Sequence, residues 1–371
     1  MREESNKIKI LFWAQLPPPL HGASLRNKAI FESKIIRDKF EFVYVPFNYS
    51  NSIEELGKFA FKKIYIFIKL FIKLIWKSIR KDFDVVYFTY SFRRNGVFRD
   101  TLFVILFRIF RIPIIFHFRN KGAKVLSLNN LMNKLISFSL KRGFFICLSE
   151  IAVKDIEDFI DKENLYIVNN GIQPANLSYK KKENLNDNIK LFFISNLRHE
   201  KGVFTLLEVY KELQTKVPRS LSLSIVGEEG DISYAELETY ITQHELHNIK
   251  LLGPLYGSSK YEIFNNSDIF IFPSRNEVFP GVVLEAMQFA LPIVATNVGA
   301  IPDIIKSQEN GIICDVDNVD EIVSGILKLI DDQEFSKKIG DKAQSDFYEN
   351  YTLKSFEKNM LSTFVKIKNK I

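Results

Sequence analysis

The sequence predicts an α/β protein built from two Rossmann-like, doubly wound parallel-sheet domains, with a ligand cleft expected between them. Three observations predict this. Short apolar runs alternate with helical patterns along the first 171 residues; a charged, Asn-rich segment at 179–190 interrupts them; the alternation then restarts. A chain of 371 residues, 46% of them hydrophobic, can bury two cores of ordinary size.

The first strand is IKILFWA (8–14), an apolar run stopped by Pro17, Pro18 and Pro19. In the loop that follows, His21, Gly22, Ala23 and Ser24 precede a helical pattern beginning near Leu25. Small residues and free amides at a helix amino terminus give phosphate a place to approach. Further strands are predicted at 40–47, 85–90, 112–118, 144–149 and 166–170, with helical stretches between most of them. A turn or hinge, VNNGIQP, is centred on Gly171. Beyond the break, strands are expected at 191–195, 221–227, 249–253, 269–274 and 291–296. The domains are therefore 1–171 and 172–345, followed by a terminal helix at 346–371.

Composition narrows the function. Cys147 and Cys314 stand far apart without CxxC spacing, which gives neither a disulfide framework nor a cysteine metal site and fits a reducing cytoplasm. The amino-terminal apolar run meets three prolines and lacks a small-residue cleavage site, which argues against a signal peptide. The net charge of +7 is unevenly divided, since residues 1–171 hold 29 Lys and Arg against 16 Asp and Glu. A basic half attracts nucleic acid or an anionic membrane. Within it, KFAFKKIYIFIKLFIKLIWKSIRK (58–81) places Lys58, Lys62, Lys69, Lys73, Lys77 and Lys81 in one sector of a helix, roughly 140° wide at about 100° per residue. The remaining apolar face makes this an interfacial helix lying on an anionic membrane surface, or a helix packed on its own sheet with a solvated lysine face. Residues 101–114 admit the same two readings, with core packing favoured. Nucleic acid is disfavoured because the apolar content is too high for a solvated basic groove.

The segment from Pro273 to Ile305, PSRNEVFPGVVLEAMQFALPIVATNVGAIPDII, carries the chemistry. Glu277 lies in a loop, the turn-prone FPG follows, and VVLEAM starts a helix with Glu285 about one turn in. Amides of Gly281, Val282 and Val283 at that helix start suit a diphosphate, and the two carboxylates suit hydroxyl groups on either side of it. The string resembles the donor site of the retaining GT-B glycosyltransferases of family 4, with their E-x7-E motif in an E-x-F-(P/G)-x-x-x-x-E-A-M context. Glu277, Phe279, Glu285 and the following LPIVAT match. Pro280 and Gly281 replace a more frequent Gly-Leu pair, and Ala290 stands at the usual Gly before Leu291 and Pro292.

SNLRHEKG (195–202) resembles the family's G-R-L-x-x-x-K-G string. Lys201 matches its diphosphate-binding lysine; Asn196 stands at the position of its arginine, for which Arg198 is the candidate substitute. The Gly22 loop, VNNGI (168–172) and IVGEEGD (225–231) extend the resemblance across nearly the whole chain. It implies a histidine at a strand end of the first domain. IIFHFRNKG (114–122) is the matching stretch, and either His117 or Arg119 occupies that position; Arg119 could hold phosphate or acceptor but cannot act as a base. The resemblance also implies a GT-B fold and same-face transfer of a sugar from a nucleotide-sugar donor such as UDP- or GDP-sugar, without metal. The acceptor is expected to be a glycan, lipid-linked, on the inner face of the cell membrane, in capsule, O-antigen or related polysaccharide synthesis. By the same resemblance the final helix crosses back to the first domain on a stripe of Phe347, Tyr351 and Phe356. DFD (82–84) formally matches a D-x-D metal signature but reads as strand entry. The rival readings are a sugar-nucleotide epimerase and a non-catalytic nucleotide-sugar-binding relative.

Overall fold

A computed structural model describes residues 7–18, 22–46, 61–175 and 188–371, with the side chains of 61–64 excepted. His21, Lys58 and most of the 179–190 segment lie outside the described residues, as does the side chain of Lys62. The chain divides into two compact units, residues 1–170 with 354–371, and residues 171–353. Residues 346–353 therefore go with the second unit rather than with the terminal helix.

Among the described residues the first unit holds six parallel strands: β1 (Ile8–Trp13), β2 (Phe40–Tyr44), β3 (Val85–Phe88), β4 (Ile114–His117), β5 (Phe144–Cys147) and β6 (Leu165–Ile167), in the order β2-β1-β3-β4-β5-β6. Its helices are α1 (Gly22–Glu32), α2 (Lys34–Arg37), α3 (Phe61–Ile79), α4 (Arg94–Ile109), α5 (Ala123–Ser127), α6 (Asn130–Leu140) and α7 (Glu150–Val153). The first helix thus begins at Gly22, three residues earlier than its apolar pattern suggests. Right-handed crossovers run in one direction from β2 to β3 to β4 to β5, which places α3, α4 and α6 on one face of the sheet. They share a core with the sheet, in which Phe67 and Phe71 lie 5.3 Å and 5.8 Å from the ring of Phe103.

The outer surfaces of these helices differ from the expected amphipathic pattern. In α3 the core takes Leu70, Leu74 and Ser78, with Ile66, Phe67, Phe71 and Ile75 beside them. On the opposite side Tyr65, Ile68, Ile72, Trp76 and Ile79 form a second apolar stripe, half or more exposed, with Lys69 and Lys73 along its edge. Lys77 instead pairs with Asp82 at 2.9 Å. The sequence 101–114, expected in the core, does the same as α3. Phe103, Val104, Leu106 and Phe107 are buried, while Phe98, Leu102, Ile105 and Ile109 line the outside. The DFD string is strand entry, since Asp84 accepts from the Lys9 amide at 2.8 Å just before β3.

The second unit has β7 (Asn188–Ile194), β8 (Ser220–Val226), β9 (Ile249–Leu251), β10 (Ile269–Phe272), β11 (Ile293–Thr296) and β12 (Ile312–Cys314), all parallel, in the order β12-β11-β10-β7-β8-β9. The helices are α8 (Val203–Lys216), α9 (Tyr234–Gln243), α10 (Gly257–Asn266), α11 (Gly281–Gln288), α12 (Ile301–Ile304), α13 (Val319–Asp331) and α14 (Gln333–Asp346). Strand β12 was not predicted. Chain direction across the sheet reverses between β7 and β10, and a crevice opens beyond the strand ends at such a switch point. The loops after those two strands carry both predicted motifs.

The terminal helix α15 (Leu353–Lys368) completes the first unit from Lys354 onward. Its buried stripe is Phe356, Met360, Phe364 and Ile367, and the Phe364 ring meets Phe40 and Tyr87 at 5.8 Å and 5.9 Å. Phe347 and Tyr351, expected on the same stripe, are instead buried in a π-helical turn of the second unit.

Candidate active site

At the switch point of the second unit a cavity of about 530 Å³ is lined by the predicted donor residues Arg198, Lys201, Phe279, Gly281, Val282 and Glu285, together with Glu277. Gly202 sets the first wall. Its φ is +72°, and a Cβ there would fall 1.9 Å from the Pro273 carbonyl oxygen, so only glycine lets the turn carrying Lys201 pack against the end of β10. Lys201 then donates to the Glu277 carboxylate at 2.7 Å and to the Asn276 carbonyl at 3.2 Å. Ser274 Oγ donates to the same Glu277 oxygen at 3.2 Å. Gly299, at φ +54°, packs behind Glu277 so closely that a Cβ would meet the Glu277 carbonyl oxygen at 2.4 Å.

These contacts hold the carboxylate in place and govern its charge. Burial pushes the Glu277 carboxyl above the ordinary glutamate range, and the Lys201 ammonium and Ser274 hydroxyl oppose that shift. A buried pair of this kind depends on both members, because removing one leaves the other charge without compensation.

Helix α11 begins at Gly281, directly after Pro280, which caps it with extended backbone and no side-chain hydrogen bond. The first-turn amides have no intrahelical acceptors and carry the positive end of the helix dipole. Glu285 follows one turn later and accepts from Lys260 Nζ of α10 at 2.6 Å. The cavity thus presents two Lys–Glu pairs flanking an open helix amino terminus. Arg198 lines it as well, half exposed and 3.9 Å from Glu200. This set can hold a dianionic group at the amides and cations, with carboxylates on either side to accept from hydroxyls.

The motif also ends as its departure from the family pattern suggests. Ala290 and Leu291 close α11 by donating their amide N–H groups to the Met287 and Ala286 carbonyls, and Ala290 takes φ +52°. That left-handed conformation suits the glycine usual at this position.

The remaining candidates, Gly22, His117 and Arg119, belong to the first unit. Gly22 is the first residue of α1 and has nothing within 4 Å of where a Cβ would be. His117 ends β4, is fully buried, and its Nδ1 lies 2.6 Å from the Tyr87 hydroxyl. Burial, reinforced by the Arg119 charge, holds its imidazole well below the usual histidine range, so it is neutral. Strand β4 stops at His117, which puts Arg119 beyond it, where it donates to Asn170 Oδ1 at 3.1 Å. Glu228, within the IVGEEGD segment, also lines the cavity; sequence reasoning missed Lys260, which lies on a helix with no motif, and Tyr256.

Comparison with known proteins supplies context for this site. Residues 176–346 match the family model of glycosyl transferases group 1. The chain is 27% identical over 215 residues to an uncharacterized glycosyltransferase of Methanocaldococcus jannaschii, covering 55% of this chain and 54% of that one. It is 27% identical over 263 residues to the capsular polysaccharide biosynthesis glycosyltransferase CapM of Staphylococcus aureus, covering 66% and 67%. The matched part thus spans about half to two thirds of the length of these relatives. In fold, the chain is similar to Anabaena HepE, solved with UDP and glucose, with a TM-score of 0.70 at 18% identity over 97% of this chain and 100% of that one. The family model covers less than half of the chain, and the architecture is that of GT-B structures.

Proposed function

We propose that this chain is a retaining glycosyltransferase whose second unit binds a nucleoside-diphosphate sugar, a UDP- or GDP-sugar, and passes the sugar to a glycan acceptor, lipid-linked, in the synthesis of a surface polysaccharide. The observation that carries the reading is the placing of Glu277 and Glu285, each salt-bridged to a lysine, on either side of the open amino terminus of α11. The HepE complex with UDP and glucose and the capsular polysaccharide role of CapM support the donor class and the pathway class.

The residues then divide the work. Amides of Gly281 and Val282, with Lys201 and Arg198, receive the diphosphate. Charge gathers on the leaving diphosphate as the glycosidic bond lengthens, and fixed donors that face it there lower the barrier. These groups supply the positive charge without a metal. Glu277 accepts from sugar hydroxyls and Glu285 from the ribose. Lys201 opposes the burial that raises the Glu277 pKa and so favours its charged, accepting form, and Lys260 holds the Glu285 carboxylate at 2.6 Å. The acceptor hydroxyl attacks the anomeric carbon on the face the diphosphate leaves, and its proton passes to a departing phosphate oxygen. No protein nucleophile is invoked.

The test is turnover by purified protein with a panel of UDP-, GDP- and ADP-sugars and a lipid extract, scored for transfer and for slow donor hydrolysis. One donor class should be consumed and Glu277→Ala should abolish its consumption. Donor binding without any turnover would instead favour a non-catalytic relative, and unchanged turnover in Glu277→Ala would remove the site assignment.

A further inference from the structure

We infer that the outer face of α3, α4 and α6 is a monotopic docking plate for an anionic lipid bilayer, extending the contact expected of α3 alone across three neighbouring helices. The inference stands on the surface of the first unit and does not depend on the donor chemistry of the second.

Two observations carry it. The first is apolar area. The exposed stripes of α3 and α4, described above, are joined on α6 by Leu131 and Phe138, 52% and 43% exposed, one heptad apart on its outer side. The three helices lie on the same side of one sheet, α4 packing on both α3 and α6. Eleven large side chains, each roughly half exposed, present on the order of 1,000 Å² of apolar surface, well beyond the ~300–600 Å² that a soluble monomer usually leaves as its largest patch. Each stripe lies opposite its helix's buried face, so folding has already used the residues it needs and left these over.

The second observation is charge. Between Tyr65 and Ser149 the sequence has 16 Lys and Arg against three Asp. Of the three carboxylates only Asp84 is exposed, and it lies at the entry of β3 rather than on the three helices. Asp82 pairs with Lys77, Asp84 accepts from the Lys9 amide, and Asp100 is fully buried against Arg99. Lys69 and Lys73 edge the α3 stripe, Arg111 follows the end of the α4 stripe, and Lys134 lies between Leu131 and Phe138, all exposed. An apolar plate rimmed by cations, on three helices that carry no exposed carboxylate among their described residues, is complementary to acyl chains beneath anionic headgroups. Tyr65 and Trp76, 67% and 63% exposed, have the ring type that settles at that boundary. The plate lies on the bilayer and does not cross it, because no helix among the described residues is long and apolar enough to span a membrane.

The experiment uses the full chain with phosphatidylcholine vesicles, with and without phosphatidylglycerol. It reads co-sedimentation and Trp fluorescence. Trp13 is buried, so a blue shift on vesicle addition reports Trp76. The wild type should bind the anionic vesicles and weaken in high salt. Ile72→Glu/Trp76→Glu on α3 and Leu102→Glu/Ile105→Glu on α4 should each lower the partition coefficient by at least about tenfold, because each introduces two charges where apolar groups would be buried. Their unfolding midpoints and donor affinities should stay at wild-type values. Unchanged partitioning of the α4 variant would overturn the three-helix plate. So would a wild type that ignores anionic vesicles but forms dimers, by light scattering, that these substitutions dissociate.

Discussion

The two units share a parallel, doubly wound plan and use their charged residues in opposite ways. The second gathers Lys201, Lys260, Arg198, Glu277 and Glu285 around an open cavity at its switch point. The first buries one histidine and one carboxylate, His117 against Tyr87 and Asp100 against Arg99, leaves its lysines at the surface, and turns apolar residues outward on three helices. One fold plan therefore supports a polar binding site or an apolar outer face. The choice lies in loops and helix exteriors, while the buried strands are interchangeable in character.

The comparison breaks first at Glu277. Glu277→Gln keeps the shape and removes the charge, and transfer should fall by roughly 10²–10³-fold, the scale seen when one preorganised polar contact in a transition state is lost. A smaller loss would place the chemistry elsewhere. Next, Lys201→Met should lower kcat by about 10²-fold. It should also move the acid limb of the rate profile to higher pH, because the ammonium that opposes the burial-raised pKa of Glu277 is gone. An unmoved limb would show that Glu277 does not control it.

For the first unit the sharper measurement is stability against pH. The pKa of His117 is depressed in the folded state, so below the unfolded value of about 6.5 the unfolded chain binds a proton that the native chain refuses. The contribution is intact above that pH and is lost as pH falls toward the folded value, by up to about 1.4 kcal/mol per unit. Denaturant midpoints between pH 7 and pH 5 should show the decline, and His117→Gln should flatten it. A wild-type profile without that slope would mean that the imidazole is protonated in place. The smallest expected effect is at Ala290. Its left-handed backbone costs about 1–2 kcal/mol, less what glycine loses in chain entropy. Ala290→Gly should therefore raise the unfolding free energy by about 0.5 kcal/mol, readable as a modest rise in Tm.

Much of this was legible in the sequence. Strands such as IIFH at 114–117 are buried on both faces and read as continuous apolar runs bounded by breakers. The E-x7-E segment showed its own helix start, because FPG cannot continue a strand and VVLEAM has helical spacing. What escaped has a physical reason in each case. Strand β12 is three residues long, too short for a periodic signal. Lys260 precedes Glu285 by 25 positions and meets it only because α10 packs beside α11, where Tyr261 and Phe264 touch Phe289. The outer stripe of α4 was hidden because residues of both its faces are apolar, and exposure, unlike hydrophobicity, is settled by what the neighbouring elements leave uncovered.

The terminal helix has a consequence for how the molecule is made. The first unit begins the chain, yet Phe364, which packs against Phe40 and Tyr87, is translated only after the whole second unit has emerged. During synthesis the earlier sheet must wait with its α15-facing aromatic side uncovered while a complete later unit folds, so the first unit started is the last one finished.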